Sequence, residues 1–375
     1  MILLLGVNSR HITFFKKIEM FSKCKVEIVS SKKIFKFSIR NLRYLDSVNL
    51  KSPIDLKVKD FFARYDNSLI PKTLIFYFYK ILALFYYMRY STIINNRYTK
   101  IVVWNGVTFR QAIAIEIAKL YNIEPIYIEN GFLPNRVVID RKGVNFYNSV
   151  PRDIEFYRNY RNIKTLPKEL IPRNPKNIKK FLNSRGGELP KRYIFIPFQV
   201  DYDTQIMLFS PWIENMRELF YIIENISKKL DIDFVFKEHP SSRKSYHDIY
   251  KKIDSNPKLY LKNEYSTQEL IQKSEAVITI NSSVGVESLL YHKKVFVLGK
   301  AFYKIDGITI GIDNEVQLLE SLKNLDNIQI DFNIVDNFLK YLYYDYLIEG
   351  NFIDYNRNQI KQIEKILECK GVKSV

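Results

Sequence analysis

A chain of 375 residues with 47% hydrophobic and 15% aromatic content exceeds what one core fills, so two domains are expected and extensive disorder is excluded. Its formal net charge of +18 comes from scattered basic residues, leaving nucleic acid, anionic lipid, acidic small molecules and a plainly solvated surface as competing explanations. Two cysteines at opposite ends, Cys24 and Cys369, and four unclustered histidines argue against a disulfide framework or a structural metal.

The opening apolar run is too short for a signal peptide and has no positive leader, so Ile2–Leu5 reads as a first buried strand. Val26–Val29, Ile101–Trp104 and Pro125–Ile128 read the same way, and Phe109–Leu120 between the last two carries apolar residues at helical spacing. Leu74–Met88, the most apolar stretch, is too short to span a bilayer and is interrupted by Lys80. It reads as a core helix, with a helix resting on a membrane surface as the alternative. Residues 174–192 combine Pro, Gly-Gly and charge, and read as a linker. Tyr193–Pro197 then restarts the pattern. Strands at Phe234–Phe236, Ala276–Ile280 and Val295–Leu298 alternate with helices at Ile213–Lys229, Thr267–Lys273 and Val284–Tyr291. This alternation predicts an α/β, GT-B-like fold of two doubly wound Rossmann-like domains facing a cleft, with C-terminal helices. The expected divisions are 1–175, 176–332, and a helical segment 333–375 packing back on the N-terminal domain.

Four segments place polar or glycine residues just after predicted strands, where open α/β sheets bind ligands. Glu129-Asn130-Gly131-Phe132-Leu133-Pro134 puts a carboxylate at a tight turn, and Gly143-Val144-Asn145 suggests a second turn folding back over it; the alternative is a plain turn with a solvated Glu. Gln199-Val200-Asp201-Tyr202-Asp203 offers two carboxylates two residues apart, either suited to act as nucleophile or base, or to cap the next helix. Lys237-Glu238-His239-Pro240 pairs a Lys and a His suited to phosphate or carboxylate. Asn281-Ser282-Ser283-Val284-Gly285-Val286-Glu287 runs from a small polar turn into a helix, whose free N–H groups suit phosphate oxygens or ordinary Ser capping. Gly285 admits a ligand or a neighbouring backbone, and Glu287 lies where it can accept from ribose hydroxyls. No Walker or dinucleotide-binding glycine pattern occurs.

Taken together, over roughly residues 100–310, these segments resemble the bacterial capsule polysaccharide biosynthesis family that includes the retaining β-Kdo glycosyltransferases. The resemblance implies a GT-B-type fold and transfer of a ulosonic acid, Kdo foremost, from a CMP-activated donor through an Asp-linked intermediate. It implies Asp203 as nucleophile and Glu129 as general acid/base, with His239 and Lys237 at the donor phosphate or sugar carboxylate. Ser282, Ser283 and Glu287 would hold CMP, and Asn130, Gly131, Gln199, Asn281 and Gly285 would complete the substrate site. Asn135-Arg136 after Pro134 departs from the family's usual segment, which leaves the acceptor or sugar identity open.

No metal or cofactor is implied, because the CMP-sugar is a substrate whose phosphate charge Lys, His and helix N-termini can carry. Expected partners are the CMP-sugar donor and a lipid-linked or oligosaccharide acceptor, with no nucleic acid, since no recognisable binding module is present. The expected location is cytoplasmic, with peripheral contact at the cytoplasmic face of the inner membrane left open. A transferase for a nine-carbon acid, a nucleotide-sugar epimerase, and a non-catalytic glycan- or lipid-binding partner of a capsule assembly complex are the competing readings.

Overall fold

The computed structural model describes residues 1–21, 25–34, 36–65, 68–167, 187–352 and 357–368. Cys24, Cys369 and most of the expected linker lie outside these residues. The chain divides into two compact units: Met1–Gly131 with Asn135–Ser149 and Tyr346–Val375, and Phe132–Pro134 with Val150–Asp345.

The first unit opens with β1 (Ile2–Gly6), α1 (Ser9–Phe21) and β2 (Val26–Ser30), followed by the long helices α2 (Lys51–Arg64) and α3 (Lys72–Tyr90). β3 (Lys100–Trp104), α4 (Phe109–Leu120), β4 (Glu124–Asn130) and β5 (Arg136–Asp140) complete its first pass. Successive strand residues face opposite sides, and here both sides are covered, so β1 is apolar throughout. Leu3 and Leu5 pack with α2, α3 and α4, through residues such as Val58, Tyr87 and Ile117. Ile2 and Leu4 pack on the other side with Phe14, Phe15 and Ile18 of α1. β1 to β4 are parallel, but β5 runs antiparallel to β4. The reversal has a local cause: the Gly131 N–H donates to the Arg136 carbonyl at 2.7 Å, and Asn135 takes a left-handed φ of 57°.

The second unit contains α5 (Ile154–Asn159), β6 (Tyr193–Pro197), α6 (Thr204–Phe209), α7 (Met216–Ser227), β7 (Asp233–Lys237), α8 (His247–Ser255) and β8 (Leu259–Leu261). It continues with α9 (Thr267–Lys273), β9 (Ala276–Thr279), α10 (Ser283–Leu289), β10 (Lys294–Val297), β11 (Ile310–Gly311), α11 (Glu315–Lys323) and α12 (Phe332–Lys340). Its sheet is parallel in the order β11-β10-β9-β6-β7-β8, so the winding direction reverses between β6 and β9. Ile194, Ile196, Phe234 and Phe236 face α7, while Tyr193, Phe195 and Val235 face α9.

Two expectations are corrected. The C-terminal segment is not one helical piece on the N-terminal domain: α12 packs on α5 in the second unit, and only β12 (Ile348–Glu349) and α13 (Arg357–Glu368) join the first. Between β12 and α13, Gly350 takes φ 112° and donates its N–H to the Asn135 carbonyl at 2.9 Å. Nor is α3 simply a core helix, because only one face, with Ile75, Ala83, Tyr87 and Tyr90, is buried. β12 pairs antiparallel with β5, giving the first sheet the order β12-β5-β4-β3-β1-β2 and its own reversal between β1 and β3.

Candidate functional site

In the first unit the strand ends on either side of that reversal carry polar side chains. After β3, Asn105 and Gly106 adopt φ values of 68° and 86°, a turn in which Gly106 leaves no room for a side chain beside Tyr127. The turn aims the Asn105 amide at Glu129, donating to Oε2 at 2.7 Å, while Oε1 accepts from the Asn130 backbone N–H at 2.9 Å. Glu129 is half-buried and Asn130 exposed at the end of β4. Amide donors from Asn105 and Asn130 thus orient this carboxylate at the sheet's carboxyl edge.

Sequence reasoning missed Asn105, and it missed the segment after β1. His11 is buried, its ring stacked on Trp104 at 4.4 Å, with the Asn8 amide 2.9 Å from Nε2. Burial holds its pKa down to about 4. The available signal was positional: Asn105 directly follows β3, and Asn8 lies two residues past β1.

Asp140, also unanticipated, organises the turn containing Gly143-Val144-Asn145. Its carboxylate accepts from the Lys142 N–H at 2.7 Å, from the Ser149 N–H and hydroxyl at 2.7 Å, and from the Tyr346 hydroxyl at 2.7 Å. Gly131 has a packing role, since a Cβ there would lie 2.6 Å from Arg136. Phe132 and Leu133 are buried, and Phe132 lies 4.0 Å from the Phe302 ring within the second unit.

In the second unit Gln199 and Asn281 bridge the reversal between β6 and β9. Gln199 Nε2 donates to Asn281 Oδ1 at 2.9 Å, and its Oε1 accepts from the Asn281 N–H at 3.2 Å and from Thr279 Oγ1 at 3.4 Å. The Asn281 amide donates onward to the Gln205 carbonyl at 2.9 Å. Both side chains are buried and engaged with protein groups. Tyr202 adds a third loop, its hydroxyl donating to the Ser241 carbonyl at 3.3 Å. The segments after β6, β7 and β9 are therefore laced together.

This lacing separates the two aspartates. Asp201 is buried and accepts from the Met216 N–H at 2.8 Å. Asp203 is exposed and caps α6 through Oδ1, which accepts from the Gln205 N–H at 2.9 Å. Capping uses Oδ1, and among the described residues no hydrogen bond engages Oδ2.

His239 Nδ1 accepts from the Ser241 N–H at 3.1 Å, which puts the neutral ring's proton on Nε2. Lys237 turns away to donate to the carbonyls of Asn263 at 2.7 Å and Tyr265 at 2.6 Å, and burial lowers its pKa to about 8. Ser282 caps α10, accepting from the Val284 N–H at 3.2 Å, with half-buried Ser283 and Glu287 following. Gly285 faces no open space: a Cβ would meet the Tyr303 ring at 2.6–2.8 Å. Tyr303 is fully buried, donates to the Ser282 carbonyl at 2.5 Å, and has its pKa pushed up by burial. Of the predicted residues, Glu129, Asn130 and Gly131 belong to the first unit and the others to the second. Among the described residues no cluster of three or more His, Cys, Asp or Glu is arranged to hold a metal ion.

A family model described as capsule polysaccharide biosynthesis protein matches residues 99–183 and 176–353. The chain is 32% identical over 257 residues to Protein FixF of Sinorhizobium fredii (strain NBRC 101917 / NGR234), covering 68% of this chain and 61% of that protein. It is 25% identical over 251 residues to the capsule polysaccharide export protein KpsS of Escherichia coli, covering 51% of this chain and 64% of that one. The matched region thus spans somewhat under two thirds of the length of these curated relatives. Among solved structures, the Thermosulfurimonas dismutans KpsC β-Kdo 2,7 transferase has the same fold over 98% of this chain and 99% of that one, at a TM-score of 0.51 and 16% identity. With most of its length matched by the family model, the chain belongs to the capsule polysaccharide biosynthesis protein family.

Proposed function

We propose that the chain is a retaining glycosyltransferase of bacterial surface-glycan assembly. It moves a ulosonic acid, Kdo foremost, from a CMP-activated donor to a glycan or lipid-linked acceptor, without a metal or other cofactor. The observation that carries this reading is the contrast between the two aspartates: Asp201 is buried against the Met216 backbone, whereas Asp203 is exposed and uses only Oδ1 in capping α6. In the first step Asp203 Oδ2 bonds to the anomeric carbon as the bond to the CMP phosphate oxygen breaks, its electron pair leaving with CMP. In the second, the acceptor hydroxyl displaces Asp203 and gives its proton to Glu129, whose carboxylate is oriented by Asn105 and the Asn130 N–H. His239 offers Nε2–H to the donor's phosphate or carboxylate, and Ser282, Ser283 and Glu287 hold CMP.

The fold shared with a β-Kdo transferase and the family membership support this reading. The protein works at the cytoplasmic side of the inner membrane, with peripheral contact to it. A donor panel tests the reading: CMP release from CMP-Kdo, dependent on a glycan acceptor, is expected. CMP release from none of the CMP-activated acids, or turnover of UDP-GlcNAc with no acceptor requirement, would overturn it.

A further inference from the structure

The outer face of α3 is a continuous apolar stripe. Leu74, Tyr77, Phe78 and Ile81 are 61%, 59%, 58% and 69% exposed, and Phe85 continues the row at 36%. Their spacing of three and four residues puts them on one side of the helix, opposite the buried Ile75, Ala83 and Tyr87. A second segment is fastened alongside. Ser38 donates its N–H to the Met88 carbonyl at 3.2 Å, Asn41 donates to the Ser91 carbonyl at 2.7 Å, and Phe37 meets Phe85 edge-on at 5.3 Å. The bonds hold Phe37 and Ile39 outward, 52% and 74% exposed. A hydrophobic face built from two elements on a well-packed helix is more than scattered surface apolarity.

The charges within its two segments have one sign. From Ser31 to Leu45 the chain holds Lys32, Lys33, Lys36, Arg40 and Arg43 and no acidic residue. From Ser68 to Ser91 it holds Lys72, Lys80 and Arg89, again with no acidic residue. Arg89 reaches the Ser31 carbonyl at 3.2 Å, joining the two segments at the stripe's end.

We propose that the α3 stripe with the adjoining segment around Phe37 is a docking surface for an anionic lipid bilayer. The inference deepens the membrane contact named in the proposed function and does not depend on the sugar chemistry. Aromatic and aliphatic side chains enter the headgroup–acyl boundary, and the basic rim pairs with lipid phosphates. Among the described residues no helix is long and apolar enough to cross a membrane, so the helix would lie in the interface plane. A second copy of the chain is a poor occupant, because each copy carries +18 and this face has only positive formal charges in both segments.

Co-sedimentation of the full chain with vesicles tests the proposal. Phosphatidylcholine vesicles containing about 30% phosphatidylglycerol should bind it at least about 10-fold better than pure phosphatidylcholine, and added salt should erase that preference. Phe78→Ser with Ile81→Ser should lower partitioning by roughly 30-fold, since two exposed side chains lose their burial in lipid while the core is untouched. Lys33→Glu with Lys36→Glu should remove the preference for anionic lipid. In an Ile81→Trp variant, the introduced indole should shift to the blue on vesicles and be quenched by brominated acyl chains. Equal binding to both vesicle types, no binding, or an unquenched indole overturns the proposal. So does self-association without lipid that the Phe78 and Ile81 changes abolish. The assay contains no donor: a chain that binds vesicles but releases no CMP keeps this surface and loses the reaction, and the reverse result does the opposite.

Discussion

Replacing Gln199 by leucine keeps the side chain's approximate volume but removes both ends of the bridge across the β6–β9 reversal. The Asn281 N–H loses its 3.2 Å acceptor and Asn281 Oδ1 its 2.9 Å donor, in a place where both residues are buried. Each stranded polar group costs about 1–3 kcal/mol, so Gln199→Leu should destabilise the second unit by about 2–6 kcal/mol. Asn281→Leu removes the partner and also frees the Gln205 carbonyl, so it should cost a similar amount. The double variant should cost less than the sum by about 1–2 kcal/mol, because neither residue then leaves the other's side chain unsatisfied. Urea unfolding of the four proteins, followed by far-UV circular dichroism, measures this coupling. Additivity within about 0.5 kcal/mol would refute the bridge and return Gln199 and Asn281 to direct substrate contact as their main role.

Gly285→Ala should cost about 1–3 kcal/mol, because its Cβ would meet the rigid, fully buried Tyr303 ring at 2.6–2.8 Å. Thermal unfolding checks this; a neutral substitution would mean that Gly285 serves a ligand's approach instead. His11 supplies a pH test. With its folded pKa near 4, against about 6.5 for an unperturbed His, the unfolded chain binds the proton more readily between those values. Its contribution is therefore complete above about pH 6.5 and is lost as pH falls, reaching at most about 2 kcal/mol lost by pH 5. Unfolding midpoints of His11→Gln should fall less than wild type from pH 7 to about pH 5, and parallel profiles would contradict the buried neutral ring.

The strands were legible in the sequence because both sheets are covered on both faces, so β1, β3 and β6 appear as unbroken apolar runs. The antiparallel β5 was not legible, since its direction depends on the Gly131–Arg136 reversal and not on its own composition. Gly285 shows the same limit: the Tyr303 side chain that packs against it lies outside the local segment and leaves no trace in it. Strand-end placement singled out Glu129 and Asp203 and passed over Asn105, although it too follows a strand end, while His11 needed β1 and β3 to be set side by side. Lys237 shows the limit of residue-type reasoning, because a lysine at a strand end served two backbone carbonyls as readily as it would a phosphate.

The most direct measurement is the mass of the protein after exposure to donor. In Glu129→Gln incubated with CMP-Kdo, the second displacement should be slowed while Asp203 itself is unchanged. Intact-protein mass spectrometry should then show one added sugar, and peptide mapping should locate it on Asp203. Asp203→Asn should carry no adduct and lose transfer by orders of magnitude, while retaining CMP binding. An adduct on Asp201, or undiminished transfer by Asp203→Asn, would contradict the account.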